Sequence, residues 1–180
     1  MKKIGFFGGC FNPPNNLHIE IANNLIKEGK LDKVIFVPVN DYYKKVGLIE
    51  AKHRLNMLKI AINYYNKLDV DDIEIKENKP LYAVDAFEII QKSRFINKDN
   101  KDDVDEIYYI MGSDNFKKMP TWKDYDTIKD KYNYIVIDRK QESIPSTRIR
   151  KMILDKDEEV KRYLDKDVYK YIIKNNLYRR

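Results

Sequence analysis

Short apolar runs alternate along this chain with stretches whose apolar residues recur every three or four positions. Residues 4–7 read IGFF and residues 34–38 read VIFVP, runs continuous enough for strands covered on both faces. Between them Ile19, Ala22, Leu25 and Ile26 mark one face of an amphipathic helix that stops at Gly29. Ala51, Leu55, Leu58 and Ile62 keep helical spacing and predict a helix over 51–65. VDDIEI (70–75) alternates, which predicts a strand nearer an edge. Ala83, Phe87 and Ile90 mark another helix, EIYYIMG (106–112) a strand ending at Gly112, and YNYIVID (132–138) a further strand. STRIRKMIL (146–154) and VYKYIIKNN (168–176) read as closing helices, and NKDNKDDVD (97–105) as a solvated loop. The β-α-β alternation predicts an α/β fold, a doubly wound parallel sheet with helices on both faces, as a single domain over 1–180. Sheets of that kind bind ligands at the carboxyl ends of their strands.

Two unusual stretches fall at such positions. GGCFNPPNNLH (8–18) follows the first strand. Gly8 and Gly9 let backbone approach a ligand, and amides at the start of the next helix attract phosphate, with His18 placed to donate to a phosphate oxygen. Residues alone also allow a plain strand-to-helix turn. The stretch is neither the dinucleotide fingerprint G-x-G-x-x-G nor a P-loop. SIPSTRIRK (143–151) puts Ser146 and Thr147 at a helix start, with Arg150 one turn on and able to reach the same anion; ordinary capping is the other reading.

Composition narrows the classes. With 43% hydrophobic and 36% charged residues in 180, the chain has enough apolar material for one core, and no apolar run nears the ~20 residues of a membrane span. Cys10 is the only cysteine, so no internal disulfide forms, in keeping with a cytoplasmic setting. One Cys and two His argue against a zinc site, which leaves a carboxylate-bound Mg²⁺ open, and no metal-ligating residue is assigned. The net charge of +6 suits phosphorylated partners, yet the tyrosines follow core periods rather than interleaving with arginine, so no nucleic acid and no membrane partner is expected.

Together the two stretches resemble the paired signatures of the nucleotidylyltransferase superfamily, G-G-x-F-[DN]-P-x-[HT]-x-x-H and a late [ST]-[ST]-x-x-R. Within it the chain is most similar to the nicotinamide/nicotinate mononucleotide adenylyltransferases. VPVNDYYKKVGLIEAKHR (37–54), YAVDAF (82–87), IMGSDNFKKMPTW (110–122) and the ending VYKYIIKNNLY all match segments of that family, Lys44, Lys45, His53 and Arg54 falling on its basic positions. The resemblance implies a Rossmann-like fold and transfer of an adenylyl group from ATP to a pyridine mononucleotide, releasing pyrophosphate, with Mg²⁺ carried on the ATP phosphates. It assigns catalysis to His18, Asn15 and Arg150. It assigns ATP to Gly8, Gly9, Cys10, Phe11, Lys45, Gly112, Asp114, Ser146 and Thr147, and the mononucleotide to Asn12, Lys44, Tyr82, Asp85 and Trp122.

Two positions depart from the family pattern. Asn15 stands where a His or Thr is usual, and Ala83 where a threonine is usual. Pantetheine-phosphate adenylyltransferases and cytidylyltransferases share both signatures, and a non-catalytic nucleotide-binding relative is a further alternative. The choice between nicotinate and nicotinamide mononucleotide, and homo-oligomer formation, are left open by the sequence.

Overall fold

The apolar runs become the strands of one sheet. A computed structural model of the chain describes residues 1–95, 105–138 and 144–179. Within them lie β1 (Lys3–Gly9), β2 (Lys33–Pro38), β3 (Leu68–Val70), β4 (Glu106–Gly112) and β5 (Asn133–Ile137). The sheet order is β3-β2-β1-β4-β5 and every pairing is parallel. The helices are α1 (Asn16–Lys27), α2 (Ala51–Ala61), α3 (Ile73–Lys76), α4 (Ala83–Phe95), α5 (Ser113–Lys118), α6 (Tyr125–Lys131), α7 (Ser146–Leu154) and α8 (Lys166–Lys174), with 3-10 turns at Met119–Thr121 and Glu158–Arg162. None of the described helices is long and apolar enough to cross a membrane.

Side chains on the central strands alternate between two cores, as a period of two requires. Phe7, Val34 and Phe36 join Ile19, Leu25, Met57, Leu58, Ile149, Ile153 and Ile172 on one face. Phe6, Ile35 and Val37 join Ile90, Tyr109, Met111 and Ile128 on the other. The doubly wound arrangement expected from the sequence is therefore present. Gly5 shows how tightly the first core closes: a Cβ there would sit 2.5 Å from Leu31 Cδ1 and 2.7 Å from Ile110 Cδ1.

The sheet order reverses between β1 and β4, which places a crevice outside their carboxyl ends. Gly8, Gly9 and Gly112 occupy those ends.

Three expectations are corrected. The strand predicted over 70–75 is confined to Leu68–Val70 on the sheet edge, and Ile73–Lys76 turns into α3. Asp71 Oδ1 accepts the Ile73 amide at 3.0 Å, and that local bond bends the chain out of the ladder. The helix predicted to 65 ends at Ala61. The last helix starts two residues early because Asp165 Oδ1 caps it, accepting from the amides of Asp167 and Val168. Of the loop predicted over 97–105, residues 97–104 lie outside the described residues, as does Ser143.

Candidate active site

The turn after β1 is built from glycine, strain and a buried ring. Gly8 is exposed, and a Cβ added there meets nothing within 4 Å. A Cβ on Gly9 would press on the Phe11 ring at 3.1 Å. Phe11 holds φ +45 and is 3% exposed. Left-handed backbone at an aromatic residue costs about 1–3 kcal/mol. Ring contacts with His18, Phe36 and Phe7, at centroid distances of 5.2, 5.5 and 5.8 Å, hold it there. The Phe11 ring is thus part of the core, and any ligand contact from this residue comes from its backbone.

Asn15 and His18 form a reciprocal cap on α1. Asn15 Oδ1 accepts the His18 amide at 3.1 Å, and the Asn15 amide donates to His18 Nδ1 at 3.0 Å. An amide can only donate, so Nδ1 is the acceptor and the imidazole proton of the neutral ring sits on Nε2. Asn15 was expected to meet phosphate. It is 5% exposed, its side-chain oxygen serves the cap, and its backbone amide fixes the tautomer and orientation of His18.

The far signature docks on this same turn. Arg150 Nη1 donates to Asn12 O at 2.9 Å, and Ser146 Oγ donates to Pro13 O at 3.2 Å. Residues separated by more than 130 positions therefore share one wall. Ser146 gives its hydroxyl proton to Pro13 O in this structure, and its backbone amide stands in the uncapped first turn of α7. The first turn of α7 has no side-chain cap. Thr147 Oγ1 accepts from Arg150 Nη2 at 3.4 Å and keeps its own proton to donate.

Asn12, expected at the mononucleotide, is a hub of the turn in this structure. It is 3% exposed, its Nδ2 donates to Gly47 O at 2.7 Å, and its Oδ1 accepts from Tyr178 Oη at 2.8 Å and the Ile49 amide at 3.4 Å. The lysine loop is thereby pinned to the glycine turn. Gly47, at φ +73, runs over Arg150, with its built Cβ position 3.7 Å from Nε. Lys44 and Lys45 are both exposed, and Lys45 Nζ reaches Cys10 Sγ at 3.8 Å.

On the β4 side, Gly112 leads into α5 and Asp114 lies in its first turn. Asp85 Oδ2 accepts the Tyr82 amide at 2.9 Å, so its carboxylate closes the start of α4. Tyr82 is 59% exposed, and Lys123 Nζ lies 4.7 Å from its ring centroid, next in sequence to the half-buried Trp122. Tyr82 and the Trp122 segment are brought together; Lys123 was missed because a single surface lysine carries no periodic signal. A cavity of about 270 Å³ opens beyond β2, lined by Asn40, Asp41, Tyr42, Ile75 and Asn78, and none of the predicted site residues borders it.

Burial sets the electrostatics beside the site. Glu74 is pushed up to about 7 by desolvation, which the Arg54 charge only partly offsets. Burial also raises Tyr178 well above the ordinary phenol range, opposed by Arg150 and Arg54. The native state holds the Glu74 proton more tightly than the unfolded chain does. That stabilisation is complete below the ordinary carboxyl value of 4.5 and is lost as pH rises through about 7. Glu74→Gln is therefore expected to leave Tm unchanged near the acid end and raise it by about 2–4 °C at alkaline pH, checked by melts across that range.

A parallel sheet with glycines at its switch point and a late helix docked on the same turn is the class of α/β protein that takes ligands at its strand ends. The model of the cytidylyltransferase-like family matches residues 6–175. A probable nicotinate-nucleotide adenylyltransferase of Maridesulfovibrio salexigens is 36% identical over 76% of this chain, which spans 61% of that protein. The nicotinate-nucleotide adenylyltransferase of Bacillus subtilis is 30% identical over 77% of this chain and 70% of its own length. A Plasmodium falciparum nicotinic acid mononucleotide adenylyltransferase complexed with NaAD superposes with a TM-score of 0.77 at 21% identity, covering 99% of this chain and 98% of the other. The chain belongs to the cytidylyltransferase-like family and, within it, to the nicotinate-nucleotide adenylyltransferases.

Proposed function

We propose that this protein transfers the adenylyl group of ATP to nicotinate mononucleotide, forming a dinucleotide and pyrophosphate in NAD biosynthesis. The observation that carries the reading is the docking of Ser146 and Arg150 on the Asn12–Pro13 turn, which makes the glycine turn, α1 and α7 one anion-facing surface.

An oxygen of the mononucleotide 5′-phosphate attacks the α-phosphorus of ATP. The bond from that phosphorus to the bridging oxygen breaks, and pyrophosphate leaves with the electron pair. The nucleophile is already an anion at neutral pH, so positioning and charge neutralisation carry the rate. Gly8 and Gly9 admit the triphosphate against the end of β1. His18 donates from Nε2 to the oxygens where charge grows. The first-turn amides of α7, the Thr147 hydroxyl, Arg150 and Lys45 hold the leaving pyrophosphate. Gly112 and Asp114 face the adenosine; Tyr82 and Trp122 flank the pyridine, with Lys44 on the mononucleotide phosphate. Mg²⁺ enters on ATP as part of the substrate and neutralises charge on its phosphates. Among the described residues no cluster of three His, Cys, Asp or Glu side chains forms a separate metal site.

The assay pairs ATP or CTP with nicotinate mononucleotide, nicotinamide mononucleotide, 4′-phosphopantetheine and glycerol phosphate, and measures pyrophosphate and the nucleotide product. ATP with nicotinate mononucleotide is expected to give the highest kcat/KM. Turnover confined to CTP or to phosphopantetheine, or ATP binding with no pyrophosphate release, overturns the proposal. Gly8 supplies a second check. Gly8→Ala meets no protein atom, so Tm should stay within about 2 °C, while the new methyl occupies ligand space and raises KM for ATP at least about tenfold.

A further inference from the structure

Among the described residues, Arg54 on α2 is the only charged side chain that is fully buried, at 0% exposure. Taking a guanidinium out of water costs several kcal/mol unless its donors are matched. Its neighbours on α2, Met57 and Leu58, are apolar and equally buried, so packing alone would be served by an aliphatic side chain. The donors instead reach three separate segments. Nε donates to Ile49 O at 2.9 Å, Nη1 to Cys10 O at 3.2 Å, and Nη2 to Asn40 O at 3.5 Å. Nη2 also pairs with Asp41 Oδ1 at 3.3 Å, the same oxygen that accepts the Ala51 amide at 2.6 Å. Burial draws the guanidinium below its ordinary value, and the Asp41 carboxylate draws it back.

Those three segments are the glycine turn, the exit of β2 and the end of the lysine loop. Between the last two lie Lys44 and Lys45, and Lys45 Nζ already meets Cys10 Sγ. We propose that Arg54 is a positioning residue for adenylyl transfer, whose fork sets the spacing between the glycine turn and the lysine loop so that both close on one triphosphate. Its link to ATP rests on the function proposed above; the loop tether does not. Arg54 touches no substrate. It acts by holding two backbone carbonyls, Cys10 and Ile49, at opposite ends of one planar group. A lysine keeps the charge but places one compact ammonium where three directions must be served.

The test uses the full-length chain as Arg54→Lys, alone and combined with Lys45→Ala. The expected result is a rise of about tenfold or more in KM for ATP and amide hydrogen exchange about tenfold faster over residues 45–49, with exchange in α8 unchanged. Lys45→Ala should cost at least about tenfold in the wild type and under about threefold in the Arg54→Lys background, because a released loop no longer delivers Lys45. A folded Arg54→Lys with wild-type KM, unchanged exchange at 45–49 and an undiminished Lys45→Ala penalty overturns the proposal. Should Arg54→Lys not fold, Asp41→Asn replaces it in the same cycle. Asparagine keeps the oxygen that accepts from Arg54 Nη2 and the Ala51 amide and removes only the charge, so Asp41→Asn is the milder change. Faster exchange at 45–49 with a KM rise of about threefold is expected there, and no change overturns the proposal. Exchange is read without turnover. An inactive wild type whose loop still loosens in Arg54→Lys therefore defeats the proposed function and this role in it, leaving a tether only, whereas an active wild type with an indifferent loop defeats this inference alone.

Discussion

His18→Ala should lower kcat by about 10²–10³, the usual loss when one electrostatic donor is removed from a charge-developing transition state. The geometry explains why one imidazole carries so much. The Asn15 backbone amide occupies Nδ1 at 3.0 Å, so the ring holds its proton on Nε2, the tautomer that donates to phosphate. Phe7 and Phe11 pack edge-on against the ring and restrict its rotation. The alanine variant also loses the side-chain half of the cap, so about 1 kcal/mol of stability should go with it. His18→Gln separates the two effects, because glutamine at that helix position can accept the Asn15 amide. Its Tm should return to the wild-type value while kcat stays at least about tenfold low. Single-turnover kinetics and thermal melts on the three proteins check this, and an alanine variant with near-normal turnover removes His18 from the chemistry.

Arg150→Ala is expected to cost about 10²–10³ in kcat/KM for ATP. A guanidinium has five N–H donors, and its bonds to Asn12 O and Thr147 Oγ1 account for two of them. The remainder can meet the β- and γ-phosphates beneath the Gly47 crossing. Arg150→Lys should recover only part of the loss, since a point charge cannot hold Asn12 O and a phosphate together. Inhibition by pyrophosphate gives an independent reading: its Ki should rise in both variants, more in the alanine. A Ki unchanged from wild type would place the leaving group elsewhere.

The glycine turn and the α7 start were legible because each is a short local pattern with a steric or dipolar reason behind it. The two-sided burial of VIFVP was legible for a similar reason, since a continuous apolar run has no polar face to expose. The allocation of side chains around the turn was not. Asn12, Asn15 and Ser146 are polar residues beside a phosphate-facing loop, and their sequence positions fit ligand contacts. In the structure they hold Gly47 O, the His18 amide and Pro13 O. Which partner a short polar side chain takes depends on which backbone groups arrive beside it after the loops close.

By itself the sequence determined the strands β1, β2, β4 and β5, the long helices α1, α2, α4, α7 and α8 near their places, and the residue types at the strand ends, while the short helices α3, α5 and α6 escaped it. Periodicity and turn chemistry act over a few neighbouring residues and survive without a fold. Only the tertiary structure decided that Arg54 is buried as a three-way clip and that the Asn12–Pro13 turn carries α7 across more than 130 residues. Those bonds join groups far apart along the chain, and they exist only once the sheet order has brought the loop ends within a few ångströms of one another.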